Sequence, residues 1–159
     1  MVDRRVQEHF VARTPFGPLY VAAENGAIVA SDFRARARVS AAPRDGVLGE
    51  ARRQIEAYCA KRLRRFDLPL HLTGTPFQIA VWQLVAQLET GELISYGDVA
   101  RAIGAPLAHR GVAAAMGKTP YDLFIPAHRV VGADGTIKGA GPQSRRRRLL
   151  AFEGIVLRG

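Results

Sequence analysis

The segment IPAHRVV, residues 125–131, sets His128 and Arg129 on a short apolar run just after Pro126. Histidine can take or give a proton near neutral pH. Beside a proline and an arginine it has the look of an active-site frame. Yet the position where a reactive side chain would stand is Ala127, whose methyl group can neither attack nor exchange a proton. The residues alone leave three readings open: a catalytic motif, a motif that has lost its catalyst, or a buried strand.

The whole chain narrows the chemistry. Its 159 residues suit one ordinary domain, or two small ones sharing a surface, and 48% hydrophobic content can build a core. No apolar run approaches the roughly 20 residues that span a bilayer, so no membrane role is expected. The N-terminal MVDRRVQEHF has an acidic residue and no long apolar region, unlike a secretory signal. Cys59 is the only cysteine, which excludes an intrachain disulfide and a zinc site of several thiolates. A reducing, cytoplasmic setting is the simplest expectation, with no metal and no cofactor. The net charge is +9, and with Lys61, Lys118 and Lys138 the only lysines, arginine carries most of it. Guanidinium forks match phosphate oxygens, so the excess points to nucleic acid. A basic surface set only by codon usage is the alternative.

The elements that would carry these residues fall into two parts. Residues 10–33 read as two short strands around the turns TPFGP and ENG. Residues 34–46 read as an Arg-rich loop. Residues 47–62 have helical spacing through Leu48, Ala51, Ile55, Tyr58 and Cys59. Cys59 is therefore expected to be a buried core thiol. FDLPLHL, residues 66–72, alternates like an edge strand. The predicted domains are 1–73, a small antiparallel sheet with a helix, and 74–159, mostly helical; the fold class is α/β in the α+β sense.

In the second part, residues 76–89 predict a helix opened by Pro76, with Phe77, Val81, Leu84, Val85 and Leu88 inward. Ser95 and Asp98 have capping-box-like spacing before a short helix through Val99 and Ile103. After the break GAP, a second helix is expected from Pro106. A short helix, a Gly turn and another helix make a helix-turn-helix candidate. Ala108, Gly111 and Ala115 would form a row of small residues, with Arg110 projecting beside them. Such a helix could press into a DNA groove, or could simply pack closely on its neighbours. GADGTIKGAG reads as a hairpin turn and loop. A last helix, SRRRRLLAFEG, would be capped by Ser144 and ended by Gly154. Arg145–Arg148 there oppose the helix dipole, which suits a solvated or phosphate-facing surface.

Together, TPFQIAVWQLV, ELISYGDVARAIGAPLAHRGVAAAMGKTP, IPAHRVVGADGTIKG and LLAFEG resemble the O6-alkylguanine-DNA alkyltransferase family, in that family's order. TPFGPLYVAAENGAI resembles its first hairpin. The resemblance implies a helix-turn-helix that enters the minor groove and flips the damaged base into a pocket. It implies a cysteine thiolate, in PCHRV, that takes the alkyl group irreversibly. Carried over, His128 would accept the thiol proton through a water, Glu153 would orient His128, and Arg110 would fill the gap in the stack. Tyr96 would crowd the target phosphate, and Ala108, Gly111 and Ala115 would lie against the DNA. Met116, Ala127, Val130, Ala140 and Gly141 would line the base pocket.

The departures matter as much. The nucleophile position is Ala127, the family's Asn before Pro is Thr119, and the pocket aromatic is Ala140. The resemblance is closest to the family's non-catalytic alkyltransferase-like proteins. These carry Trp or Ala in place of the cysteine and flag lesions for nucleotide excision repair. The expected function is thus recognition of O6-alkylguanine in double-stranded DNA without repair, by a monomer, with nucleotide excision repair proteins as partners. The alternative is a suicide methyltransferase whose cysteine was exchanged for Ala127 by design. Without a thiol, His128 and Glu153 are expected to remain as a buried pair holding the loop to the last helix, with Arg129 tying neighbouring segments together.

Overall fold

The computed structural model describes residues 7–135, 137 and 144–155. It is an α+β protein of two compact units, Met1–Leu72 with Pro120–Phe124, and Thr73–Thr119 with Ile125–Gly159.

The first unit is built on three antiparallel strands, β1 (Gln7–Ala12), β2 (Leu19–Glu24) and β3 (Ala27–Phe33), in that order. There is one strand more than the turn pattern implied, because both TPFGP and ENG are hairpin connections. Asn25 (φ 51°) and Gly26 (φ 78°) make the two-residue turn that matches the twist of paired strands. FDLPLHL contributes only a single bridge, Leu70 to Ile28, rather than a strand.

Helix α1 (Gly46–Cys59) packs on the sheet through Leu48, Ala51, Ile55 and Tyr58. Tyr58 takes the inward place at the helix end, so Cys59 is only half-buried and not the core thiol expected. Burial, and then the nearby Glu56 carboxylate, push its pKa up, which keeps it a thiol. Residues 120–124 join this unit from far along the chain. Tyr121 bridges to Ser31, and its hydroxyl lies between the carbonyls of Ile28 and His71. Burial raises its pKa to about 12.

The second unit begins with α2 (Pro76–Ala86). The Thr75 hydroxyl accepts from Gln78 N–H and the Gln78 amide oxygen accepts from Thr75 N–H, a complete capping box. Val81, Trp82 and Val85 are its buried residues, while Phe77, Leu84 and Leu88 are only partly covered. The Trp82 indole donates to the Ala115 carbonyl at 3.0 Å. Next come β4 (Ile94–Ser95), α3 (Tyr96–Ala102), α4 (His109–Gly117), a 3-10 turn over Ala127–Arg129, β5 (Val130–Val131) and α5 (Arg145–Phe152). The Ser144 hydroxyl caps α5, and Gly154 (φ 85°) ends it. Gly132 and Gly135 close a turn after β5; the rest of the expected hairpin loop, from residue 138, lies outside the described residues.

Candidate functional site

Pro126 has φ −79° and ψ 73°, and Ala127 N–H donates to the Ile125 carbonyl at 2.8 Å. This is an inverse γ-turn, which the proline ring favours by fixing φ. Arg129 N–H then closes the 3-10 turn on the Pro126 carbonyl at 3.0 Å. Val130–Val131 pair in parallel with Ile94–Ser95, the two residues that lead into α3. The outcome is a sharp corner. Ala127 is half-buried at its tip, while His128 and Arg129 turn fully inward.

Those two inward side chains meet α5. His128 Nε2 lies 2.6 Å from Glu153 Oε2. Arg129 grips the same carboxylate with two bonds, Nε to Oε1 at 2.9 Å and Nη2 to Oε2 at 3.0 Å. It also donates to the Leu88 carbonyl at 2.7 Å and the Thr90 hydroxyl at 3.2 Å. The His128 and Arg129 side chains are 3% exposed and that of Glu153 0%. Every polar group therefore depends on this network for its partners.

Arg129 already matches the Glu153 charge, and burial holds the His128 pKa below its ordinary value. Glu153 opposes that shift, while Arg129 and Arg146 add to it. His128 is accordingly neutral. Its Nε2 carries the proton toward Glu153, and Nδ1 is left as an acceptor. That is a general base without a proton donor of its own, because Ala127 supplies none. Leu88 and Thr90 were not legible as partners of Arg129: one contributes a backbone oxygen, and nothing local marks the other.

The helix-turn-helix forms with altered boundaries. The Ser95 hydroxyl caps α3 by accepting from Asp98 N–H at 3.0 Å, and the Asp98 carboxylate engages Arg101 as well as Ser95. After Gly104 (φ 79°), Ala108 N–H closes a tight turn on the Ala105 carbonyl at 2.9 Å. That turn delays α4 to His109, three residues past the expected start at Pro106. Tyr96 is half-buried and Arg110 is exposed.

The small residues divide. Ala108 is half-buried and Gly111 exposed, but Ala115 is 2% exposed and belongs to the core. The reason is helical phase: the exposed row runs Ala108, Gly111, Ala114, and Ala115 lies one residue round toward α2. A Cβ at Gly111 would also come within 3.2 Å of the Phe77 ring, so close helix packing uses this glycine too. Met116 and Val130, expected as pocket lining, are 3% and 2% exposed. Ala140 and Gly141 lie outside the described residues.

Comparison with known proteins bears on this arrangement directly. The model of the 6-O-methylguanine DNA methyltransferase DNA binding domain matches residues 76–155, and that of the family's ribonuclease-like domain matches residues 9–72. The chain belongs to the O6-methylguanine-DNA methyltransferase family.

Among the family's curated members, a methylated-DNA–protein-cysteine methyltransferase of Mycobacterium leprae is 37% identical over 145 residues, covering 88% of each chain. A constitutive enzyme of that name from Bacillus subtilis is 35% identical over 136 residues, covering 80% of this chain and 82% of its own. The crystal structure of the Mycobacterium tuberculosis O6-methylguanine methyltransferase matches with a TM-score of 0.77 at 34% identity over 93% of both chains. The same organism's protein in complex with DNA matches with a TM-score of 0.76 at 36% identity over 91% of both. Relatives of this name move a methyl group to a protein cysteine. In this family member the corner that resembles PCHRV reads PAHRV, and its one cysteine lies in the other unit.

Proposed function

We propose that this chain binds double-stranded DNA through the α3–α4 helix-turn-helix, draws O6-alkylguanine out of the stack toward Ala127, and leaves the lesion chemically unchanged for other proteins to remove. The observation that carries this reading is Ala127 at the tip of a corner where His128 and Glu153 are still paired. Transfer would form a carbon–sulfur bond and break the bond between the alkyl carbon and guanine O6. Only a thiolate beside the base could do this, and Ala127 has no such atom.

Recognition needs less. An exposed Arg110, a half-buried Tyr96 and the low exposed row of Ala108, Gly111 and Ala114 suit close approach to a groove. The charge of +9 supplies attraction to phosphate. The M. tuberculosis relative complexed with DNA supports the partner class. The proteins that would follow are those of nucleotide excision repair, as for the alkyltransferase-like members of the family.

The test compares duplexes of one sequence carrying guanine, O6-methylguanine or a bulkier O6-alkylguanine. Tighter binding to the modified duplexes, with the alkyl group still on the DNA afterwards, is the expected result. Equal affinity for all three would sink the lesion-sensing part.

A second reading, an active transferase whose cysteine at 127 has been exchanged, draws on the completeness of the His128–Glu153–Arg129 network. Ala127→Cys separates the two. Stoichiometric alkylation of the new thiol would mean that the base and its orienting carboxylate are still tuned for transfer. No alkylation, with lesion binding kept, is expected if the altered Thr119 and Ala140 positions belong to a site remade for recognition.

A further inference from the structure

Leu107 is 94% exposed, against 42% for Val39 and 40% for Leu93, the other exposed large apolar side chains among the described residues. It stands in the turn between α3 and α4, three residues before Arg110, flanked by exposed Pro106 and the half-buried Ala108. So solvated a leucine adds almost nothing to the fold, since the hydrophobic effect rewards only area taken from water.

Its surroundings specify the occupant. From Val99 to Tyr121 the sequence has no Asp or Glu, while Arg101, Arg110 and Lys118 are exposed, Arg101 being paired with Asp98. The stretch that carries the leucine is therefore positive, and its other exposed residues include the small Ala102, Gly104, Gly111 and Ala114. A second copy of the chain fits poorly, because it brings the same +9 charge. A polyanion with apolar walls fits well. The minor groove is that surface: phosphates line its edges and deoxyribose carbons form its sides, and proteins that enter it set apolar side chains there beside arginines.

We propose that Leu107 is a second groove contact, packed on the deoxyribose wall next to the point where Arg110 enters, and that it holds the protein on duplex DNA whether or not a lesion is present. This rests on the DNA-binding reading above and divides the labour within it: Arg110 discriminates, Leu107 anchors.

The test uses the full chain, Leu107→Ser, Leu107→Lys and Arg110→Ala, on matched guanine and O6-methylguanine duplexes over a series of salt concentrations. Leu107→Ser is expected to lose roughly tenfold in affinity, the factor that goes with burying most of one leucine side chain. The loss should be equal on both duplexes and leave the salt slope unchanged, because no ion is released by an isobutyl group. Leu107→Lys should steepen that slope by about 0.9, one phosphate neutralised. Arg110→Ala should fall more on the lesion duplex.

Because the side chain is solvated, all three proteins should melt like the parent. Leu107→Ser binding both duplexes as the parent does would overturn the proposal and leave lesion recognition standing. A loss confined to the lesion duplex would also overturn it. A parent chain that binds no duplex would remove the DNA reading itself.

Discussion

Within the second unit, two sets of polar residues live under opposite conditions. His128, Arg129 and Glu153 are withdrawn from water and bonded to one another. Arg110 on α4 and Lys118 at its C-terminal cap stand in water, on a helix whose other outward residues, His109 aside, are small. Both sets lie in the region matched by the DNA-binding-domain model. The difference teaches what each is for once the nucleophile is gone. A buried ionic cluster cannot lose a member cheaply, so it persists as the fastening between the 3-10 turn and α5 even with no proton to move. Solvated charges are under no such constraint, and their presence in a row without carboxylates is better explained by something they meet.

The comparison breaks most easily at Glu153. Glu153→Ala strands Arg129 inside the protein, and losing one partner of a buried pair costs about 3–5 kcal/mol. A large drop in thermal or urea stability is expected. If the variant unfolds like the parent, the cluster is not the fastening described here.

At the other region, Arg110→Ala should leave the melting temperature unchanged and weaken lesion binding by roughly ten- to a hundredfold. That is the range for a residue contributing about 1.4–2.8 kcal/mol at an interface. A fall in stability with intact binding would reverse the roles assigned to the two regions.

A smaller effect tests the cluster by pH. The His128 pKa is lowered in the folded state from 6.5, so the unfolded chain binds the extra proton first. Stability is full above about pH 6.5 and declines as pH falls below it, through the depressed folded value, by at most about 1.4 kcal/mol per pH unit for one proton. Chemical denaturation between pH 7.5 and 5 should show this slope, and His128→Asn should flatten it.

Gly111→Ala should change stability least. The helix gains about 1 kcal/mol from losing a glycine, and the contact with the Phe77 ring takes back a similar amount. A fall in DNA affinity at unchanged stability would place Gly111 against the groove as well as against Phe77.

Much of this site was legible in the residues because its signals are local. The Pro76 start, the Ser95 and Ser144 caps and the Gly154 stop each depend on geometry within one turn, so spacing alone revealed them; the Thr75–Gln78 box, equally local, emerged only from the structure. The turn after Gly104 is not legible in the sequence, because Pro106 is equally at home in a helix's first turn and in a tight turn before it. Only the Ala108–Ala105 hydrogen bond decided between the two. Spacing from Ala108 does not separate Ala114 from Ala115, because both fall within two helical turns of it. The choice fell to whichever side Trp82 and Phe77 occupied.

The sequence by itself determined the chemistry that is possible at the corner: residue 127 has no nucleophilic atom, and no arrangement of the chain can supply one there. It also determined the family and the charge. The tertiary structure alone decided that His128 is neutral, because that depends on burial and on Arg129 reaching Glu153 across 24 residues of sequence. It also decided that Leu107 stands in water while Met116 and Val130 do not. Exposure is set by which segments pack together, and a list of residues does not contain that information.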